Sequence, residues 1–112
     1  NIGSRKYWSK ADLFHEMGHF YEFSDPRIAQ AAQDWRASRA TSEIPVSLGR
    51  LYAGEKALPG NYIHPYVGKV YPYGGTEVVS MGLEFFESPK GMLDLYQQDR
   101  GHFEFIVGLL NH

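Results

Sequence analysis

Glycines and prolines crowd the middle of this chain. Gly49, Gly54, Pro59, Gly60, Pro65, Gly68, Pro72, Gly74 and Gly75 all fall between Ala40 and Gly75. Proline removes an amide donor and clashes with the preceding helical turn, and glycine costs about 1 kcal/mol per helical position relative to alanine. No long helix fits in that stretch, so helices are confined to its flanks. Inside it, Tyr62-Ile63 and Val67 to Tyr71 read as short strands of a hairpin.

The flanks carry helix starts of recognisable chemistry. Ser9 caps a helix running to about Phe23, with Asp12 three residues on in a capping box that has Asp in place of Glu. Ser24-Asp25-Pro26 ends it and opens a second, in which Ile28, Ala31, Ala32 and Trp35 recur at helical spacing as far as Arg39. Thr76 is the expected cap of a third, with Val79, Leu83 and Phe86 on its apolar side. Ser88-Pro89 opens a fourth, carrying Met92, Leu93 and Tyr96. Asp99 opens a fifth, with Phe103, Ile106, Val107 and Leu110 as its buried stripe. The expected fold is mainly α, formally α+β, with one small β-hairpin.

A chain of 112 residues with 43% hydrophobic and 21% charged residues makes one globular domain, here residues 1–112. It begins with Asn, and we read it as a domain excised from a longer protein. A net charge of -2 and no basic patch give a nucleic-acid partner no electrostatic support. No apolar run is long enough to span a bilayer. There is no cysteine, so disulfides are excluded and a metal site must use His, Asp or Glu.

The first helix contains His15-Glu16-Met17-Gly18-His19. Residues four apart stack on one helix face, so both imidazoles can point at one Zn²⁺. Glu16 is rotated off that line, clear of the metal but in reach of a water on it. Zinc brings such a water's pKa toward neutrality and the glutamate can take its proton. Leu13, Phe14, Met17, Phe20 and Tyr21 make most other sides of this helix apolar, so it reads as buried, where two imidazoles need partners. Gly18 indicates close packing or space beside the metal. A third histidine ligand six residues after His19 would need a glycine at 22 and a histidine at 25; these positions hold Glu22 and Asp25. Glu77, opening the third helix, is the better candidate. Its alternative is a solvated face shared with Ser80, Glu84 and Glu87.

With those residues in view, the chain resembles the gluzincins, zinc peptidases with HExxH on one helix and a glutamate ligand on a later one. HEMGHFYE from His15 to Glu22 looks like their active-site helix, and TEVVSMGLEFF from Thr76 to Phe86 like their glutamate helix. The tail with Phe103-Glu104-Phe105-Ile106 is similar to the end of the anthrax lethal factor catalytic domain. The same arrangement also resembles C-terminal domains of phage head-morphogenesis proteins and related bacterial toxins. The resemblance implies a compact zincin-like domain with Zn²⁺ on His15, His19 and Glu77. It implies a metallopeptidase that hydrolyses peptide bonds through a zinc-bound water, with Glu16 as base and an upstream tyrosine, Tyr71 or Tyr73, on the oxyanion.

Partners would be a peptide or protein substrate and other domains of a longer parent, in a bacterial cytoplasm or a phage virion. The alternative is a zincin-like domain of weak or no activity, kept for structure or assembly in a phage head or toxin protein. Two departures from the family are plain. Thermolysin-like enzymes place Asp where Met81 stands, so that support for a ligand histidine is missing. Only 14 residues precede His15, so most of the family's substrate-binding sheet is absent or replaced by the Tyr62 to Tyr71 region. His64 reads as a loop residue and His102 as a surface or capping residue.

Overall fold

The structure is a computed structural model and describes residues 9–49, 55–72 and 74–111. It is mainly helical, as expected, and its helices begin at local caps. In α1 (Lys10–Ser24), the Asp12 amide donates to Ser9 Oγ at 3.0 Å and the Ser9 amide to Asp12 Oδ2 at 3.3 Å, which completes the capping box. Asp25 accepts from the Arg27 amide at 2.9 Å and Pro26 takes the first turn of α2 (Pro26–Arg39). Later in the chain, Ser88 caps α4 (Pro89–Gln98) and Asp99 caps α5 (Arg100–Leu110), each accepting from an amide three residues on at 3.0 Å. Asp99 also pairs with Arg39 at the end of α2, whose guanidinium lies over the Trp35 ring.

The exception is α3 (Val78–Glu84), which starts after Glu77 without a side-chain cap and runs into a 3-10 turn, Phe85–Glu87. Thr76, the expected cap, sits one residue earlier; its hydroxyl accepts from the Val78 amide at 3.1 Å.

The hairpin is real but elsewhere. β1 (Val46–Ser47) pairs antiparallel with β2 (Lys56–Ala57), Val46 opposite Ala57. Of the expected strands, Tyr62-Ile63 forms none, and Val67 lies in a 3-10 turn, Pro65–Gly68. The chemistry favours the turn. Proline presets a helical φ at its first position, and His64 Nδ1 accepts from the Tyr66 amide at 3.0 Å as a cap would. A single bridge, Ala57 to Lys69, joins this segment to the hairpin, with the Leu58 amide donating to Gly68 O at 2.8 Å and the Val70 amide to Lys56 O at 2.9 Å.

The core gathers Ile28 and Ala32 of α2, Val67, Val78, Val79 and Leu83 around α3, and Ile106 and Leu109 of α5. Trp35, Tyr62 and Phe105 pack against it. The buried stripes of α4 and α5 are shifted from the expected ones. Leu95 is the buried residue of α4, while Leu93 and Tyr96 are exposed; His102, Ile106 and Leu109 face inward from α5, while Leu110 is exposed. α1 departs most. Only Gly18 and Glu22 are buried on it; Leu13, Met17 and Phe20 are half or more exposed. It packs by one face, and no described element covers the other. No described helix is long and apolar enough to cross a membrane.

That one face of α1 lies on α3. The contacts Glu22 to Thr76, Gly18 to Ser80 and His15 to Glu84 climb one helix as they descend the other, so the two run antiparallel. At Gly18 the approach is backbone to backbone. A Cβ there would sit 2.5 Å from Ser80 Cα and 2.8 Å from Ser80 N, inside van der Waals contact with atoms that cannot rotate away.

Gly18→Ala therefore sets two terms against each other. The helix gains about 1 kcal/mol of propensity, and overpacking against rigid backbone costs toward the upper end of about 1–3 kcal/mol. The expected result is a lower melting temperature. Gly108 is the control: it lies within α5 with nothing within 4 Å of a Cβ. Gly108→Ala should raise stability by about 0.5–1 kcal/mol, read by thermal or urea unfolding of both variants.

Candidate metal centre

α1 carries His15 and His19 on the edge of the face it turns to α3, and α3 opens with Glu77 directly opposite. His15 Nε2 and His19 Nε2 each lie 3.2 Å from Glu77 Oε1. One ligand atom from each of the three residues lies within 4.8 Å of the other two. The two imidazole rings meet edge to face at 4.9 Å between centroids. Glu77 is not on a solvated face: it is 1% exposed and Ser80 is fully buried.

Every oxygen of the Glu77 carboxylate is occupied. Oε1 faces both histidines and accepts from Ser80 Oγ at 2.6 Å, and Oε2 accepts from the Tyr71 hydroxyl. Burial works to raise the Glu77 pKa, but hydrogen bonds from His15, His19, Ser80 and Tyr71 outweigh it and hold the carboxyl well below its usual range. The reverse holds for Tyr71. Burial first, then the bond to the Glu77 carboxylate, push its pKa up, so the phenol keeps its proton.

Tyr71 reaches the centre because α2 and a buried lysine fix the segment that bears it. Arg36 donates to Lys69 O at 2.9 Å, and Gln33 donates to the carbonyl of Gly74, a residue at φ +88°. Lys69 Nζ lies 4.3 Å over the Tyr71 ring and also bonds the Tyr66 hydroxyl. Tyr66 also bonds Tyr71, the tyrosine that donates to Glu77. Tyr73 lies outside the described residues. Glu16 is exposed on α1, turned roughly 100° around the helix from His15, the rotation of one residue.

Two further carboxylates complete the arrangement, and neither was singled out for it from the sequence. Glu84 bonds His15 Nδ1 and so turns Nε2 toward Glu77. Glu84 lies nearly one turn beyond Met81 on α3. Glu22 accepts from the Thr76 amide at 2.8 Å and from the Thr76 hydroxyl at 2.7 Å. Burial first raises its pKa, while the Thr76 bonds oppose the rise. Both residues lie seven positions from a recognised one, Glu22 from His15 and Glu84 from Glu77, a spacing that shares a helix face; this was the available signal.

The remaining histidines lie elsewhere. His102 is fully buried behind α3, donating from Nε2 to Val78 O at 2.8 Å with its ring 4.7 Å from Trp35, so it is a core residue and not the surface or capping one expected. His64 is exposed in its turn.

Two imidazoles and a carboxylate placed this way could hold a metal ion. Two ligands about 2.0–2.1 Å from a tetrahedral zinc stand roughly 3.3–3.4 Å apart; the two histidine–Glu77 separations are 3.2 Å, and all three donor atoms lie within 4.8 Å of one another. Comparison with family profiles, curated proteins and solved structures returns no match.

Without metal, His15 faces two carboxylates. Burial lowers its pKa, but the hydrogen bonds to Glu77 and Glu84 prevail and push it up to about 10 from 6.5. A pKa raised on folding stabilises the fold fully below the unfolded value near 6.5, and that contribution is lost as pH rises through about 10. Histidine NMR of the metal-free domain should find His15 protonated at pH 8, and Glu84→Gln should move its titration down. A His15 titrating at its ordinary value would contradict this geometry.

Proposed function

We propose that this domain is a zinc-dependent metallopeptidase. The observation that carries the reading is the convergence of His15, His19 and the buried Glu77 carboxylate within 4.8 Å, with an exposed Glu16 on the histidine helix. Bound to those three residues, zinc would supply Lewis acidity toward water and a substrate carbonyl.

The chain's own residues do the rest. Glu16 takes a proton from the attacking water and returns it to the departing amine. Tyr71 keeps its phenolic proton, which it donates to Glu77 Oε2; it would serve the carbonyl oxygen only by turning from that bond as negative charge develops on the substrate. Glu84 orients His15 through Nδ1, as carboxylates behind ligand histidines do. The substrate is a peptide or protein. The likeness of the two helix motifs to gluzincins and to phage head-morphogenesis and toxin domains supports that class, with further domains of a longer parent as partners.

A second reading has one observation in its favour. Among the described residues the only sheet is a pair of two-residue strands, a small edge on which to lay a substrate. In that reading the domain serves assembly in a phage head or toxin protein with little or no hydrolysis. A hydroxamate separates the two, because it binds zinc with an open position and not a closed structural site.

Elemental analysis should find one zinc per chain, lost in His15→Ala and Glu77→Ala, and a chelator should lower the melting temperature because the metal binds only the folded state. Glu16→Gln should retain zinc and lose about 10²–10⁴-fold in hydrolysis of an unstructured protein substrate. His19→Ala should lose zinc and activity together. Zinc loss in Glu16→Gln would make that residue a ligand rather than a base, and an inactive zinc-loaded domain would favour assembly.

A further inference from the structure

We infer that Glu22 is a positioning residue for the metal centre, holding the start of α3, and with it Glu77, against the histidine face of α1; this rests on the metal reading above. Glu22 lies three residues beyond His19 and shares its side of the helix. Both of its oxygens are taken by one residue. The Thr76 amide donates to Oε2 at 2.8 Å and the Thr76 hydroxyl to Oε1 at 2.7 Å, and both residues are buried. Thr76 directly precedes Glu77. A grip on both the amide and the side chain fixes the position and the rotation of the peptide that leads into the ligand.

α3 needs such an anchor, because it has no side-chain cap at Glu77. The grip is passed on when the Thr76 hydroxyl accepts from the Val78 amide at 3.1 Å. Glu22 is also an expensive way to fill space. A buried carboxylate answered by two neutral donors is costly beside an apolar side chain of the same size. What the two hydrogen bonds secure is the placement of one peptide, and that peptide leads into the third ligand.

The test measures zinc affinity by competition with a chromophoric chelator, with the melting of the metal-free protein in parallel, for Glu22→Ala, Glu22→Gln and Thr76→Val. Glu22→Ala should weaken zinc by about 10–100-fold, as losing a residue behind the ligands does. Thr76→Val removes one of the two bonds and should weaken it about three- to tenfold. Glu22→Gln should stay near the unmodified domain, since its amide oxygen can accept from the Thr76 amide and its NH₂ can donate to the Thr76 hydroxyl.

Unchanged zinc affinity in Glu22→Ala and Thr76→Val, with only lower metal-free melting temperatures, would reduce Glu22 to a stabilising contact and overturn the inference. Glu22→Gln as weak as Glu22→Ala would make charge, not the hydrogen-bonded grip, the operative property and overturn it equally. If Glu22→Ala does not fold, Thr76→Val decides. A failure of the metal reading itself looks different: the unmodified domain then takes up no zinc.

Discussion

The missing side chain at Gly18 lets the rest of this site exist. Without a Cβ, the backbone of α1 comes against the backbone of α3 at Ser80. Imidazole and carboxylate side chains are short, and two histidines on one helix can meet a single oxygen from another only if the helices nearly touch. Here both Nε2 atoms reach Glu77 Oε1 at the same distance, 3.2 Å. The contact is then secured on each side of that point by a carboxylate pointing in opposite senses, Glu22 from α1 to Thr76 and Glu84 from α3 to His15.

The centre is also an electrostatic problem. Three carboxylates, Glu22, Glu77 and Glu84, gather around two imidazoles on the α1–α3 seam. Burying negative charge is costly unless donors or cations answer it. Glu77 is answered by four side chains at once, and in the metal-free state His15 contributes by keeping a proton. A dication bound there would replace that proton with a stronger counter-charge.

What could be read from the sequence was largely local. Caps are decided by hydrogen bonds spanning three residues, so Ser9, Asp25, Ser88 and Asp99 were legible, as was the His15–His19 pair one turn apart. Glu77 was legible as a candidate because it opens a helix. The hairpin was misplaced because Tyr62 to Tyr71 has strand-like residues but a proline and a capping histidine that close a turn. Apolar residues on α1 were read as burial because composition does not say whether a neighbour covers a face. The seven-residue spacings put Glu22 and Glu84 on the faces of His15 and Glu77, but their roles depend on partners 54 and 69 residues away, which no periodicity names.

That separation has a kinetic consequence. The His15–His19 half of the centre needs only one helix, which can flicker into existence in an otherwise unfolded chain. The other half arrives only when a loop of more than fifty residues has closed. Loop-closure entropy is paid before any long-range contact repays it. A metal ion meeting the nascent chain would thus find two donors early and the third late. Its full grip would come only after that long-range closure, so metal capture would follow the folding of the α1–α3 seam rather than seed it.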